Sequence, residues 1–416
     1  MKSYIKITSL LTLLCCSLIA SINWLINPFL MFNAPILPNI NEFATECYYK
    51  QMVFKPYQLR DIKPRSIIIG ASHAGIAFNP ANLPQPAYNL AIGGASSYIN
   101  FRLLQEAIGS NEHLENVILE TPFFGFNSDD PNNLPNLDSQ FEGRLTYTKN
   151  LHINPAFIGY FISDKLSSIL SWESLRASLR MLSKQHDVGN KNRSSFIEKH
   201  NGQWIQQPSK NTSTWMLFEN SWQKFLYDEW FPAPQHTFTF SPDDAPIDYY
   251  RQSLKLLYAR NINTNIVIAP LHGSLLIALH EAGLWPAFEI WKATLVRVNE
   301  EEAASAGKKP FPLWDYGAIN TYTEQALPEQ RNDATRLPWF NDSAHASPML
   351  GDIILQEMNG TAAPVGTQLQ KTNITQHLEQ SSIKLESYQV LHPELQTAIQ
   401  QLIQSAPENI HFPSRQ

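Results

Sequence analysis

The chain opens on an apolar run from Ile7 to Ile26, broken only by Thr8, Ser9, Thr12, Ser17, Ser21 and Asn23, and preceded by Lys2 and Lys6. A run of that length predicts a helix able to cross a bilayer, and it is longer than a typical cleaved apolar segment. Positive charge before the run and none just after it place the N-terminus on the cytoplasmic side. Small residues at Ala20 and Ser21 leave cleavage open, and the length favours an uncleaved anchor over residues 1–27. Pro28, Asn33, Pro35, Pro38 and Asn39 then read as a linker through residue 47.

Beyond Tyr48 the pattern is short apolar runs alternating with helical periodicity. Ile67-Ile68-Ile69 predicts a buried strand. Tyr88 to Ala91 predicts a second, running into the Gly93-Gly94 turn, and Val117-Ile118-Leu119-Glu120 a third, with a helix from Tyr98 to Ile108 between them. This rhythm predicts an α/β fold, a three-layer sandwich with a mostly parallel central sheet. It breaks near Asn127. A Pro/Asn/Asp-rich loop at 129–138, one or two helices at 157–182 and a polar, irregular stretch at 184–244 predict an insertion or cap over about 127–245.

Strand and helix then resume: a helix at 249–260, a strand at Asn265–Ala269, a long helix from Pro286 to about Ala306 and a short strand at 312–316 near the far edge. Ser347-Pro348 is a strong helix start, serine as N-cap and proline at the first position, and Asn359-Gly360 a stop. The sheet domain therefore spans 48–360. Residues 361–371 read as a linker, and the Gln-rich segment to Ile403 as two amphipathic helices around Pro393, forming a tail to residue 416.

Composition narrows the function classes. Charged residues are 16% and hydrophobic ones 43% of 416, so a sizeable core is expected. A net charge of -6 gives no support to nucleic-acid binding. The 10 tryptophans suit a carbohydrate or lipid ligand or an aromatic core. Trp204, Trp215, Trp222 and Trp230 crowd the insertion, either as a sugar platform or as a small core. Cys15 and Cys16 sit in the apolar run, so Cys47 stands alone in the body and no intrachain disulfide forms there. No His/Cys/carboxylate spacing suits a metal, and there is no nucleotide-binding fingerprint, so no cofactor is expected.

Candidate chemistry sits at two distant places. Gly70-Ala71-Ser72 follows the first strand, which holds the Ser72 hydroxyl on a rigid base. A helical turn starting there aims backbone N–H groups at whatever the hydroxyl attacks, the arrangement acyl transfer requires. Gly-x-Ser alone is also an ordinary strand-end turn. Asp342-Ser343-Ala344-His345 lies just before the Ser347 helix start, where the carboxylate can reach the imidazole, fix its tautomer and leave the other nitrogen to take the Ser72 proton. Asp-x-x-His alone is also a common loop pair. His73 reads as pocket-lining or turn-stabilising, His272 as a substrate contact at a strand end, an alternative base or a structural hydrogen bond, and Asp315 as a reserve acid.

With those residues in view, the segment from Arg65 to Asp352 resembles the SGNH (GDSL-type) hydrolase and acyltransferase superfamily, and more specifically membrane-anchored bacterial envelope proteins related to alginate-type O-acetyltransferases. Pro270-Leu271-His272, Trp291-Lys292 and Leu313-Trp314-Asp315 add to the likeness, as does Leu350-Gly351-Asp352. The resemblance implies Ser72 as nucleophile and, through its own N–H, one oxyanion donor. It implies Gly94 as a second donor, His345 as base and Asp342 as its orienting acid. The chain departs from the family at the Gly-x-Asn-Asp block, which supplies an oxyanion-hole asparagine after the third strand; Asn127 is the substitute at a displaced position. A missing donor of this kind costs on the order of a hundredfold in rate or more without changing the reaction type.

The implied function is a serine esterase or O-acyltransferase acting on acyl esters of an envelope glycan. It would be tethered to the bacterial inner membrane by one helix, with its globular domain in the periplasm. Its partners would be an acylated glycan or acyl donor and a membrane-bound acyltransferase or exporter. The competing expectation is a catalytically weak or inert scaffold of the same fold that binds glycan or partner proteins through the Trp-rich cap.

Overall fold

The computed structural model describes residues 1–133, 139–185 and 195–415. Parts of the loop expected at 129–138 and of the stretch expected at 184–244 therefore lie outside the described residues.

The apolar run forms helix α1 (Lys2–Ile26) and is followed by α2 (Gln51–Ile62). The sheet domain begins with β1 (Ser66–Ile69), α3 (Ser72–Ala77), β2 (Ala87–Asn89), α4 (Ser97–Ser110) and β3 (Asn116–Glu120). Next come α5 (Ser139–Arg144), α6 (Phe157–Leu170), α7 (Trp172–Lys184), the antiparallel hairpin β4 (Ser195–Glu198) and β5 (Trp204–Gln207), and α8 (Thr214–Lys224). Then follow α9 (Ala245–Ala259), β6 (Asn263–Ile268), α10 (Gly273–Glu281), α11 (Trp285–Ser305) and β7 (Leu313–Asp315). The chain ends with α12 (Pro348–Met358), β8 (Thr367–Leu369), α13 (Ile374–Leu391) and α14 (Pro393–Ser405).

Six strands form one sheet in the order β2-β1-β3-β6-β7-β8, parallel except for β8, which runs antiparallel on β7. Every residue of β1 is buried. Alternate side chains of a strand point to opposite faces, so the sheet is covered on both. That burial explains why Ile67-Ile68-Ile69 is a continuous apolar run rather than an alternating one. β1 lies inside the sheet with its C-terminal end between those of β2 and β3, and α3 leaves directly from it.

Three expectations need correction, and the open choice about the four tryptophans is decided. Residues 28–47 are no free linker: Phe29, Leu30, Met31, Ala44 and Cys47 are buried with Ile26, Phe54 and Tyr57 against Phe157, Ala177 and Met181. Polar groups lock the same stretch, since Asn41 Nδ2 donates to Leu25 O (2.7 Å) and Pro35 O (2.9 Å). The described part of 184–244 is not irregular throughout: it holds the β4–β5 hairpin and helix α8, which shares the main core with the sheet through Trp215, Phe218 and Trp222. All four tryptophans are buried, Trp204 and Trp222 at 0% exposure, Trp230 at 2% and Trp215 at 6%, so they form core and no sugar platform. Residues 361–371 contain strand β8, and the two C-terminal helices bury Tyr388, Leu395 and Ile399 in the main core rather than trailing from it.

One close approach fixes the site's foundation. A Cβ on Gly351 of α12 would stand 1.9 Å from the Ala77 carbonyl oxygen at the end of α3. The backbone of the helix that follows the Asp342–His345 loop therefore rests directly on the helix that begins with Ser72.

Candidate functional site

Ser72, His345 and Asp342 come together although Ser72 is 273 positions from His345. Ser72 is the first residue of α3, half-buried, with a β-region residue, Ala71, as N-cap. Its Oγ donates to His345 Nε2 at 2.9 Å. His345 Nδ1 donates in turn to the Asp342 carboxylate, 2.9 Å from Oδ1 and 2.8 Å from Oδ2. This is a connected hydroxyl–imidazole–carboxylate relay.

The carboxylate is saturated with donors. Oδ1 accepts the N–H groups of Ala344 (2.9 Å) and His345 (3.0 Å), and Oδ2 accepts Gln206 Nε2 at 2.6 Å. Burial alone would raise its pKa. The His345 ring, Gln206 and the Ala344 N–H outweigh that and hold the Asp342 carboxyl well below the usual carboxylate range. The acid is thus anionic near neutral pH, and the ring proton that faces it sits on Nδ1.

The turn carrying Ser72 has a second anchor. Glu120, at the end of β3, is 1% exposed, and its Oε2 accepts the Ala71 N–H at 2.6 Å. Its Oε1 accepts from His73 Nδ1 at 3.2 Å. Glu120 thus pins the turn at the residues on both sides of Ser72. His73 stands with its ring centroid 5.6 Å from that of His345, and its Nε2 is buried without a hydrogen-bond partner among the described residues.

Ser72 and His345 open into a cavity of about 470 Å³, whose walls include Tyr48, Gln51, Gly93, Gly94, Arg144, Phe196, Lys224 and Glu229. Gly94 has φ 67°, a left-handed conformation that favours glycine. The Gly93 N–H is used by Gln51 Oε1 (3.1 Å), which leaves Gly94 as the donor of that turn able to serve the cavity. The first N–H groups of α3 lack intrahelical partners by construction. Lys224 pairs with Glu229 at 2.7 Å; burial works against its charge, but Glu229 outweighs it and raises the ammonium pKa.

Three other sequence candidates sit elsewhere. Asn127 is no oxyanion donor. Fully buried, it gives Nδ2 to Trp230 O (3.2 Å) and Thr237 O (3.0 Å) and takes the N–H groups of Asp129 and Thr239 on Oδ1 (3.0 Å each), so it staples a loop. Asp315 is buried against Lys292 (2.7 Å) and His377 (2.7 Å); burial opposes ionisation, yet the Lys292 ammonium and the hydrogen bond from the His377 ring outweigh it and hold the carboxyl well below the usual range, in a structural cluster outside the Ser72 cavity. His272 is fully buried as the N-cap of α10: Nδ1 accepts the Ser274 N–H (3.1 Å), Nε2 donates to Gln325 O (2.6 Å), and its backbone N–H holds Ser343 O (3.0 Å).

That placement has a pH consequence. Burial pushes the His272 imidazole down to about 4 from 6.5, so the folded state holds fewer protons there than the unfolded chain. Its stabilising contribution is complete above the unfolded value and is lost as pH falls from there towards about 4, by up to about 3 kcal/mol. Urea midpoints measured near neutrality and near about pH 5 should fall on acidification, and by less in His272→Gln.

Sequence reasoning missed Gln206, Ser221 and Glu120. Gln206 lies on β5, a hairpin not expected, and Ser221, whose Oγ is 3.3 Å from Asp342 Oδ1, on α8 of the insertion. A carboxylate ending a strand beside the Gly-x-Ser strand was the available signal for Glu120. Among the described residues no group of three or more His, Cys, Asp or Glu is placed to hold a metal ion. No protein-family model matches the chain, and no curated protein matches it.

Proposed function

We propose that the protein is a serine esterase or O-acyltransferase with an SGNH-type site, tethered to the bacterial inner membrane and facing the periplasm, where it acts on acyl esters of an envelope glycan. The observation that carries the reading is the continuous relay from Ser72 Oγ through His345 to Asp342 at the wall of a cavity. α1 is long and apolar enough to cross a membrane, which supports the tether.

Ser72 Oγ attacks the acyl carbon while His345 Nε2 takes its proton, and Asp342 stabilises the imidazolium that forms. The N–H groups of Ser72 and Gly94 serve the oxyanion. His345 returns the proton to the departing alcohol, leaving an acyl-serine. Water, or a sugar hydroxyl from an acceptor, then attacks that ester and gives its proton to His345, which passes a proton to the departing Ser72 Oγ and restores the free serine. Exclusion of water from the cavity decides between hydrolysis and transfer. The alternative, a binding scaffold displaying tryptophans, has lost its surface, because those side chains are buried.

The test is labelling of the full chain in detergent by a fluorophosphonate serine probe. Labelling that is lost in Ser72→Ala is expected. A folded wild type that takes no label overturns the proposal.

A further inference from the structure

Helix α6 presents a face that does not suit water. Ile158, Ile162, Leu166 and Leu170 recur every four residues and are 61%, 51%, 53% and 50% exposed. Between them on the same exposed side lie Gly159, Ser163 and Ser167, so that face carries no charge. The two charged residues of α6 are turned inward. Asp164 is held by Arg144 (2.7 Å) and Tyr57 (2.8 Å), and Lys165 by the Met31 carbonyl. A surface helix in water normally shows the reverse arrangement.

The position of this face identifies what covers it. α1 ends in a socket made by α6 and α7: Asn23 Nδ2 donates to Ile169 O (3.0 Å), and Asn23 Oδ1 accepts from Ser178 Oγ (2.9 Å). About twenty residues of α1 precede Asn23, a rise of roughly 30 Å, so Asn23 stands where a spanning helix leaves the hydrocarbon. Leu170 and the start of α7 are therefore level with the bilayer boundary. Trp172, 59% exposed with the Arg176 guanidinium 5.5 Å from its ring, and Trp24, 42% exposed on α1, are residues of the kind that line that boundary. Leu179 adds a further exposed apolar side chain on α7.

The geometry points to α6 and the start of α7 as an interfacial platform that lies in the lipid headgroup layer beside α1 and seats the globular body on the bilayer. The inference rests on the membrane tether of the proposed function and not on the Ser72 chemistry. It has a consequence for access: Arg144 both lines the Ser72 cavity and clamps Asp164 of α6, so the seated helix lies next to that cavity. The site would then meet molecules delivered at the membrane surface.

Nitroxide accessibility of the full chain in phosphatidylcholine–phosphatidylglycerol proteoliposomes tests it. With Cys15 and Cys16 replaced by Ser, and Cys47 buried, single probes go to Ile162→Cys, Leu166→Cys and, as a control on α11, Ser305→Cys. A probe on native Cys15, with Cys16→Ser, reports the tether. Expected is a several-fold higher ratio of oxygen to nickel-chelate accessibility at 162, 166 and 15 than at 305. A lipid-like Cys15 with water-like 162 and 166 overturns the platform and leaves the tether standing. Positions 162 and 166 shielded from both reagents overturn it in favour of a second copy or a membrane-embedded protein. A water-like Cys15 overturns platform and tether together. Unchanged helical circular dichroism of each labelled chain establishes that these exposed substitutions leave the fold intact.

Discussion

Asp342→Asn is expected to slow acylation of Ser72 by on the order of 10⁴-fold while leaving the protein folded, the size of effect that follows when the carboxylate of such a triad is made neutral. The reason is the ring of donors around it. Oδ1 faces the N–H groups of Ala344 and His345, and Oδ2 faces Gln206 Nε2. An amide NH₂ placed at Oδ1 meets two backbone donors that cannot turn. Placed at Oδ2 it meets Gln206, whose own Oε1 has no hydrogen-bond partner among the described residues and can swing into place by a flip of the amide. The asparagine therefore settles with its NH₂ on the Oδ2 side, where it also faces His345 Nδ1. That nitrogen must then accept, the ring proton moves to Nε2, and Nε2 can no longer take the proton of Ser72.

His345→Ala removes the base outright and should cost at least as much. Both are read from the second-order rate of fluorophosphonate labelling, with thermal melts as the folding control. If both variants retained wild-type reactivity, Ser72 would have to be activated by another group. His73 would then be the candidate, because its Nε2 lacks a hydrogen-bond partner among the described residues and its ring lies close to that of His345.

Much of this site was legible because its parts carry local signals. A β-branched run followed by Gly-x-Ser marks a buried strand and its end, and Ser347-Pro348 marks the helix start; in the structure Ser347 Oγ accepts the Leu350 N–H, 3.4 Å away. Strands β1 and β3 and the 266–268 end of β6 are buried on both faces and so appear as plain apolar runs. What stayed hidden depends on distant partners. Thr367-Gln368-Leu369 is too short and too polar to signal a strand, and only the free edge of β7 makes it one. Phe29-Leu30-Met31 stands among prolines and asparagines that signal a linker, yet α6 and α7 supply a surface for it to cover. Gln206 and Ser221 have no signal of their own, since each matters only through Asp342, more than a hundred positions away. Asn127 shows the converse: its position after the third strand suited a donor, but the loop closing over it consumed every hydrogen bond it can make.

The structure also predicts a large effect at a buried pair that no local pattern announces. Lys55→Met is expected to destabilise the fold by about 3–5 kcal/mol near neutral pH. Lys55 and Glu198 are 0% and 1% exposed at the side chain, with Lys55 Nζ 2.8 Å from Glu198 Oε1. The same ammonium donates to the carbonyls of Asn89, Ala91 and Gly202 at 2.8–3.1 Å. Glu198 Oε2 accepts from Gln51, which also holds the Gly93 N–H, so the pair ties the β4–β5 hairpin to the Gly93–Gly94 turn.

Burial pushes the Glu198 carboxyl above 4.5, and Lys55 is the strongest force opposing that rise. In Lys55→Met the opposing charge is gone and the folded pKa climbs further. A carboxyl raised on folding takes up a proton as the chain folds, so its penalty is absent below the unfolded value and grows as pH rises through the interval up to the folded one. The variant should therefore lie closest to wild type at about pH 4–5 and furthest from it above neutrality, as read from urea midpoints across that range. The double variant Lys55→Met/Glu198→Gln removes the stranded charge and should recover much of the loss at neutral pH. If the single and double variants are equally unstable there, the damage comes from the three orphaned carbonyls rather than from the carboxylate.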